Sequence, residues 1–330
     1  LWSRRHNSGT YSQAYPRVIN AHAPRCPATD CRSSPQLTTT CRSPDLAPTL
    51  ARPWFSPRPH LGENQAYNGI MTARPATIAD FPPAIIENLS EARRVHVFTG
   101  AGMSAESGLE TYRNDKTGLW ENVDPQAMAS IDAWARDPEP MWAWYLWRAH
   151  VAEEAQPNAG HIALAEWEQL CDSMLVTTQN IDNLHERAGS QHIAHLHGSL
   201  FAWRCSICGR PYRIMELPTQ PAARLTPPEC PLCHNPVRPG VVWFGESLPQ
   251  REWELAEQWM MIADVVVVVG TSGVVYPAAA LPRIAYECGT PIIEISPAAT
   301  DLTPLATVSW ATTAAQGLPE LVAKVQESRG

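Results

Sequence analysis

Residues 264–270 read "DVVVVVG", five consecutive valines with no polar interruption. β-Branched side chains lose χ1 freedom in a helix and pack well on a pleated surface, so the run reads as a strand. A strand without a polar face has to be covered on both sides, which is the situation of a central strand in a parallel sheet flanked by helices. The neighbouring text alternates accordingly. A strand "RRVHVFTG" (93–100) leads into helical text up to residue 154, a helix "AGHIALAEWEQLC" (159–171), a strand "SMLVTTQN" (173–180) and a short strand around "HIAHLHG" (192–198). After a cysteine-rich insertion come "GVVWFGE" (240–246), a helix over 248–261, the valine strand, a helix over 277–287, the strand "PIIEIS" (291–296) and a last helix near 318–328. Strands alternating with helices predict an α/β fold with a doubly wound parallel sheet.

With 330 residues, 44% of them hydrophobic, the chain has room for one large domain and a smaller one attached to it. Membranes and nucleic acids are not expected partners. The chain lacks any run of about 18 apolar residues, and a net charge of −8 gives no electrostatic footprint for DNA or RNA. The first 70 residues are rich in Pro, Ser, Thr and Arg, poor in acids, and contain neither Lys nor Met. Three readings stay open for them: a disordered extension, an organellar transit peptide, or sequence upstream of a start at Met71. The expected compartment is the cytoplasm, or the mitochondrion if that segment is a transit peptide.

Nine cysteines are distributed unevenly. Cys26, Cys31 and Cys41 lie in the first segment, Cys171 and Cys288 sit singly in helical patterns, and "CSIC" (Cys205, Cys208) and "CPLC" (Cys230, Cys233) form two C-x-x-C pairs. Two such pairs, 21 residues apart, predict one four-thiolate zinc site and a reducing compartment. Four sulfurs leave no open coordination position, so the zinc is structural. Redox-active C-x-x-C is the alternative for either pair alone.

The turn "TGAGMSAESG" (99–108) follows the first strand directly. Glycines there let the backbone approach a pyrophosphate while a helix N-terminus offers free N–H groups, so a dinucleotide site is expected, against the plainer reading of a tight turn. The acid that an ordinary dehydrogenase carries about 20 residues further on is not recognisable, which disfavours hydride transfer. A second unusual stretch is "MWAWYLWRAH" (141–150), a helical pattern apolar on two faces in which Tyr145 and Arg148, three apart, point the same way. Either it is a buried helix whose Arg reaches water, or that face looks into a site.

Together "GAGMSAESGLETYR", "TQNIDNLHERAG", "HLHG", the paired C-x-x-C, "VVWFGE" and "GTSGVVYPAA" resemble the sirtuins, in the family's order and from residue 94 to about 320. The resemblance implies an NAD-dependent protein-lysine deacylase acting on acyl-lysine proteins or peptides. It divides residues 71–330 into a large NAD-binding part (about 78–110, 160–198 and 240–330) and a small part (about 111–159 and the zinc ribbon 199–239). It places NAD against Gly100, Ala101, Gly102, Ser104, Arg113, Gln179, Asn180, Asp182, Gly270, Thr271, Ser272, Ser296 and Ala314. His197 takes the place of the general base, and an imidazole is the side chain that can accept a hydroxyl proton near neutral pH. Val242, Trp243 and Phe244 fall on the stretch that pairs with substrate backbone. Ser296 and Thr312 stand where many relatives carry Asn and Gly, which bears on NAD affinity and not on the chemistry.

The Y-x-x-R of Tyr145 and Arg148 resembles the sirtuin subclass that removes succinyl, malonyl and glutaryl groups, as do Thr111 and Tyr112. Ala129 would leave room for the larger acyl group. The physics is direct: a carboxylate carried into an apolar tunnel needs a paired donor, and an Arg fork plus a Tyr hydroxyl supplies it. Predominant deacetylation, mono-ADP-ribosyl transfer on the same fold and a catalytically idle zinc module are the competing readings.

Overall fold

The computed structural model describes residues 74–109 and 128–329. A six-stranded, wholly parallel sheet contains β1 (Arg94–Thr99), β2 (Ser173–Thr178), β3 (Ile193–His195), β6 (Val265–Val269), β7 (Ile292–Ile295) and β8 (Val308–Trp310) in the order β3-β2-β1-β6-β7-β8. The valine run is β6, third from one edge, and each of its residues is at most 1% exposed. Val265, Val267 and Val269 join one apolar core while Val266 and Val268 join another on the opposite face. Each fully buried valine contributes about 1.5–3 kcal/mol relative to exposure.

Helices cover both faces. α1 (Pro83–Glu91), α4 (Ala159–Glu168) and α8 (Ala314–Arg329) supply Leu89, Leu164, Trp167, Leu318 and Leu321 to the first core. α6 (Gln250–Ile262) and α7 (Leu281–Glu287) supply Ala256, Met260 and Leu281 to the second. β1 leads by β2 to β3 in one direction, and the strands from β6 to β8 run in the other. The winding therefore reverses between β1 and β6, and the carboxyl ends of those two strands open onto the crevice where such sheets bind ligands.

A third core lies apart in composition. It combines α2 (Ile131–Arg136) and α3 (Pro138–Glu154) with a two-stranded antiparallel sheet, β4 (Gly198–Cys205) and β5 (Val237–Val241). Trp134, Trp142, Trp144, Tyr145, Trp203 and Trp243 dominate it.

Several boundaries differ from the sequence reading. α4 ends at Glu168, so Cys171 lies in the turn before β2 and not in a helix. α7 begins at Leu281 because Pro282, which lacks an N–H, is tolerated only in a first turn. α8 begins at Ala314 and contains Pro319, forgoing one backbone bond to start earlier than the proline suggested. In "GVVWFGE" only Gly240 and Val241 belong to a strand. β8 and the small helix α5 (Leu184–Ala188) had no counterpart in the sequence reading. No helix among the described residues is long and apolar enough to cross a membrane.

Candidate active site

The floor of the crevice is main chain. Gly102 N–H donates to the Gly270 carbonyl at 2.8 Å and Gly100 N–H to that of Val269 at 3.0 Å, so the loops after β1 and β6 touch backbone to backbone. A Cβ on Gly102 would sit 2.7 Å from Gly270 Cα, and one on Gly100 2.7 Å from Thr271 Cβ. Neither position admits a side chain. Gln179 spans the same seam, its Nε2 donating to Thr271 Oγ1 at 2.9 Å.

Ser104, Asn180 and Asp182, all buried, form one chain of hydrogen bonds. Asn180 Nδ2 donates to Ser104 Oγ at 3.0 Å, and Ser104 donates to Asp182 Oδ2 at 2.8 Å. Asp182 Oδ1 accepts the Leu184 N–H at the start of α5, at 3.0 Å. Burial pushes the Asp182 carboxyl up, against these donors. Ala101 lies in the first of the two 3-10 turns that the glycine loop forms, Ala101–Met103 and Ala105–Ser107. Ala314 opens α8, whose Ala315 N–H donates to Glu106 Oε2 at 3.0 Å. Beside it the buried Thr313 hydroxyl has no partner among the described residues, an unmet polar atom of the kind a nucleotide would satisfy. Ser272 is exposed. Arg113, Thr111 and Tyr112 lie outside the described residues.

His197 follows β3 and is half-buried. Its Nδ1 is 2.9 Å from the Gln179 carbonyl, and because a carbonyl oxygen only accepts, Nδ1 carries the proton and Nε2 the lone pair. Burial lowers its basicity, only partly offset by that hydrogen bond, so the neutral form prevails near neutral pH. Gly198, with φ +73°, turns the chain straight into β4. A Cβ there would meet the Gly240 carbonyl at 2.1 Å. Neighbouring histidines are structural. Burial lowers His195, but the Glu186 carboxylate 2.6 Å from its Nε2 raises it overall, and its Nδ1 faces the Asn180 carbonyl at 3.2 Å. His192 pairs with Glu168 at the surface.

Ser296 is buried and donates to the Ala298 carbonyl at 2.8 Å. The methyl of Thr312 packs against Gly317, where a Cβ would come within 2.5 Å. Two anchors of this corner escaped the sequence reading: buried Glu294, which accepts from Thr303 at 2.7 Å and Ser309 at 2.5 Å, and Arg74, which reaches Ser309 Oγ and the Ser296 carbonyl.

The four cysteines converge. Their sulfurs all lie within 4.8 Å of one another, with Cys205–Cys233 at 3.4 Å and Cys208–Cys230 at 3.7 Å. A tetrahedron with zinc–sulfur bonds of about 2.3 Å has edges of about 3.8 Å, so the donor set fits the metal. Asn235 brings the Cys233 thiol down to about 6, favouring the ligating thiolate.

Tyr145 is buried and Arg148 half-buried, both on α3. The Arg148 guanidinium carbon lies 4.8 Å from the Trp144 ring centre and 5.8 Å from that of Tyr145. Tyr145 Oη accepts the indole N–H of Trp243 at 3.1 Å. Ala129 is buried in the same core, and its carbonyl accepts the Phe244 N–H at 2.9 Å. Val242 N–H donates to the His197 carbonyl at 2.8 Å and Trp243 N–H to Glu246 at 2.8 Å. The amides of Val242, Trp243 and Phe244 are therefore all engaged within the chain, tying this turn to His197 on one side and to residues 129–131 on the other.

Comparison with known proteins places this arrangement. Residues 100–277 match a family described as the Sir2 family. The chain is 65% identical over 237 residues to NAD-dependent protein deacylase 2 of Corynebacterium efficiens, covering 71% of this chain and 93% of that protein. It is 49% identical over 234 residues to an NAD-dependent protein deacylase of Mycobacterium tuberculosis, covering 70% of this chain and 98% of that one. Among solved structures, a Sir2 homologue in complex with NAD is similar with a TM-score of 0.72 and 41% identity, over 78% of this chain and 98% of the other.

Proposed function

The chain belongs to the Sir2 family, and on that footing we propose that it is an NAD-dependent protein-lysine deacylase that removes succinyl and malonyl groups as well as acetyl, releasing nicotinamide and O-acyl-ADP-ribose. When bound, NAD would supply a ribose carbon from which nicotinamide leaves as the acyl oxygen of the substrate bonds to that carbon. The chain's own residues do the rest. Gly100, Gly102, Gly270 and Thr271 floor the crevice with main chain, and Gln179, Asn180, Ser104 and Asp182 present a preorganised row of donors and acceptors at its end. His197 Nε2, unprotonated because Nδ1 holds its proton against the Gln179 carbonyl, accepts a ribose hydroxyl proton. The 2.9 Å contact of Nδ1 with that carbonyl, from which the tautomer follows, is the observation that carries the catalytic reading.

The division into a large nucleotide-binding part and a small part with the zinc ribbon follows from the same reading, supported by the separate aromatic core. One zinc on Cys205, Cys208, Cys230 and Cys233 holds β4 to β5 and takes no part in chemistry. We place the enzyme in a reducing cytoplasm, where these thiols stay available to the metal. For the acyl pocket, a carboxylate entering beside the tryptophans needs a fork donor and a hydroxyl, and Arg148 and Tyr145 stand three apart on one face of α3. Assays of acetyl-, malonyl-, succinyl- and glutaryl-lysine peptides with NAD test the whole reading. Succinyl and malonyl turnover should exceed acetyl turnover, and acetyl turnover alone refutes the pocket assignment.

A further inference from the structure

A hydrogen-bonded network runs from the cysteine ribbon to the helix that carries Tyr145. Arg238, on β5, is 6% exposed. Its guanidinium donates to both oxygens of Glu246, at 2.5 and 2.9 Å, and to the carbonyls of Pro239 and Val241, at 3.2 and 2.9 Å. Held this way, its central carbon lies 3.3 Å from the centre of the Trp243 ring, a stacked cation–π contact. Glu246 also accepts the Trp243 backbone N–H, and Trp134 packs against the indole with ring centres 5.0 Å apart. Ring and backbone of Trp243 are thus both held, and its N–H is aimed at Tyr145 Oη, 3.1 Å away.

A phenol has one hydrogen to donate and lone pairs to accept with. Trp243 has no lone pair in its ring plane, so in this bond it can only donate, and the Tyr145 hydrogen must point to another acceptor. The hydroxyl also stays protonated: burial pushes its ionisation up to about 12, with the Arg148 charge opposing. We propose that Trp243 is a specificity-determining positioning residue, whose indole N–H turns the Tyr145 hydroxyl into an oriented donor for the acyl carboxylate beside Arg148, with the Arg238–Glu246 pair holding the indole in place. The inference rests on the reading of Tyr145 and Arg148 as carboxylate donors. It makes Trp243 act on acyl choice through its ring, while its backbone N–H is engaged by Glu246.

The test is a cycle of variants, each scored by the ratio of kcat/KM for succinyl-lysine to that for acetyl-lysine peptides with NAD. Trp243→Phe should lower this ratio about two- to tenfold, the size of one neutral hydrogen bond. The same substitution in a Tyr145→Phe background should leave the ratio where Tyr145→Phe alone sets it, because the hydroxyl to be oriented is gone. A packing role would lower both substrates together and leave the ratio unmoved. Should Trp243→Phe fail to fold, site-specific replacement by benzothienylalanine, with sulfur in place of the N–H at nearly the same shape, is read the same way. Arg148→Met is the control. A ratio that falls with Arg148→Met but not with either Trp243 variant overturns the inference alone. A ratio that none of them moves overturns the carboxylate reading, and the inference with it.

Discussion

β6 and α3 are both buried, yet they are buried by different rules. In β6 five valines alternate between two apolar cores, and none needs a particular partner. In α3 the buried Tyr145 needs the indole of a residue nearly a hundred positions away, and that indole needs Arg238 and Glu246 in turn. Hydrophobic burial is non-directional and tolerates exchange of one apolar group for another of similar volume. Buried polar atoms are directional, and each unsatisfied one costs about 1–3 kcal/mol. The sheet therefore supplies stability and a crevice, whereas the acyl selectivity proposed above would reside where the burial is aromatic and polar.

The largest effect that should separate the two regions is loss of the metal. Cys205→Ser or Cys233→Ser should release zinc and loosen the aromatic core, since structural zinc contributes on the order of 10 kcal/mol to small domains that depend on it. The six-stranded sheet should survive. Zinc analysis and hydrogen exchange read this directly: exchange should accelerate over 198–241 and stay slow over 265–269. Full zinc content with an unchanged Tm would refute the four-thiolate site. Next comes His197→Ala, which should lower deacylation by about 10²–10⁴-fold while NAD binding persists, because a lost general base raises the barrier and leaves the crevice floor intact. Turnover within tenfold of the parent would remove His197 from the mechanism.

Arg148→Met is smaller and more selective. Hydrogen bonds to a charged group contribute about 1.5–3 kcal/mol each, so desuccinylation should fall about ten- to more than a hundredfold relative to deacetylation. Equal losses for both acyl groups would make Arg148 a packing residue, and α3 would then resemble β6 after all. The mildest expectation concerns pH. Burial lowers His197 below the ordinary 6.5, so the neutral base persists to more acidic solution, and the acid limb of kcat/KM should lie below pH 6.5. An acid limb centred above that value would contradict the burial argument.

Legibility in the sequence follows the same contrast. β1, β2, β6 and β7 announce themselves as apolar runs, and the cysteine pairs by their spacing, because both signals are local. β8 has three residues and no period to read. The partnership of Arg238 with Glu246, and of Trp243 with Tyr145, leaves no trace in spacing: the first depends on how the chain turns after β5, and the second on where that turn meets α3. The same holds for the amides of residues 242–244: the stretch reads as an edge open to a peptide, and only its placement between His197 and Ala129 reveals that its donors are engaged.

The hydrogen bond from His197 Nδ1 to the Gln179 carbonyl has a consequence for proton traffic. That carbonyl has no site from which to return a proton, and the ring has no second exit into the protein. If His197 is the general base proposed above, it is a carrier with a single port. A proton taken at Nε2 would have to leave again through Nε2, and on that proposal the ring would relay no charge through the Gln179 carbonyl, so readiness for the next turnover would depend on what Nε2 meets once product departs.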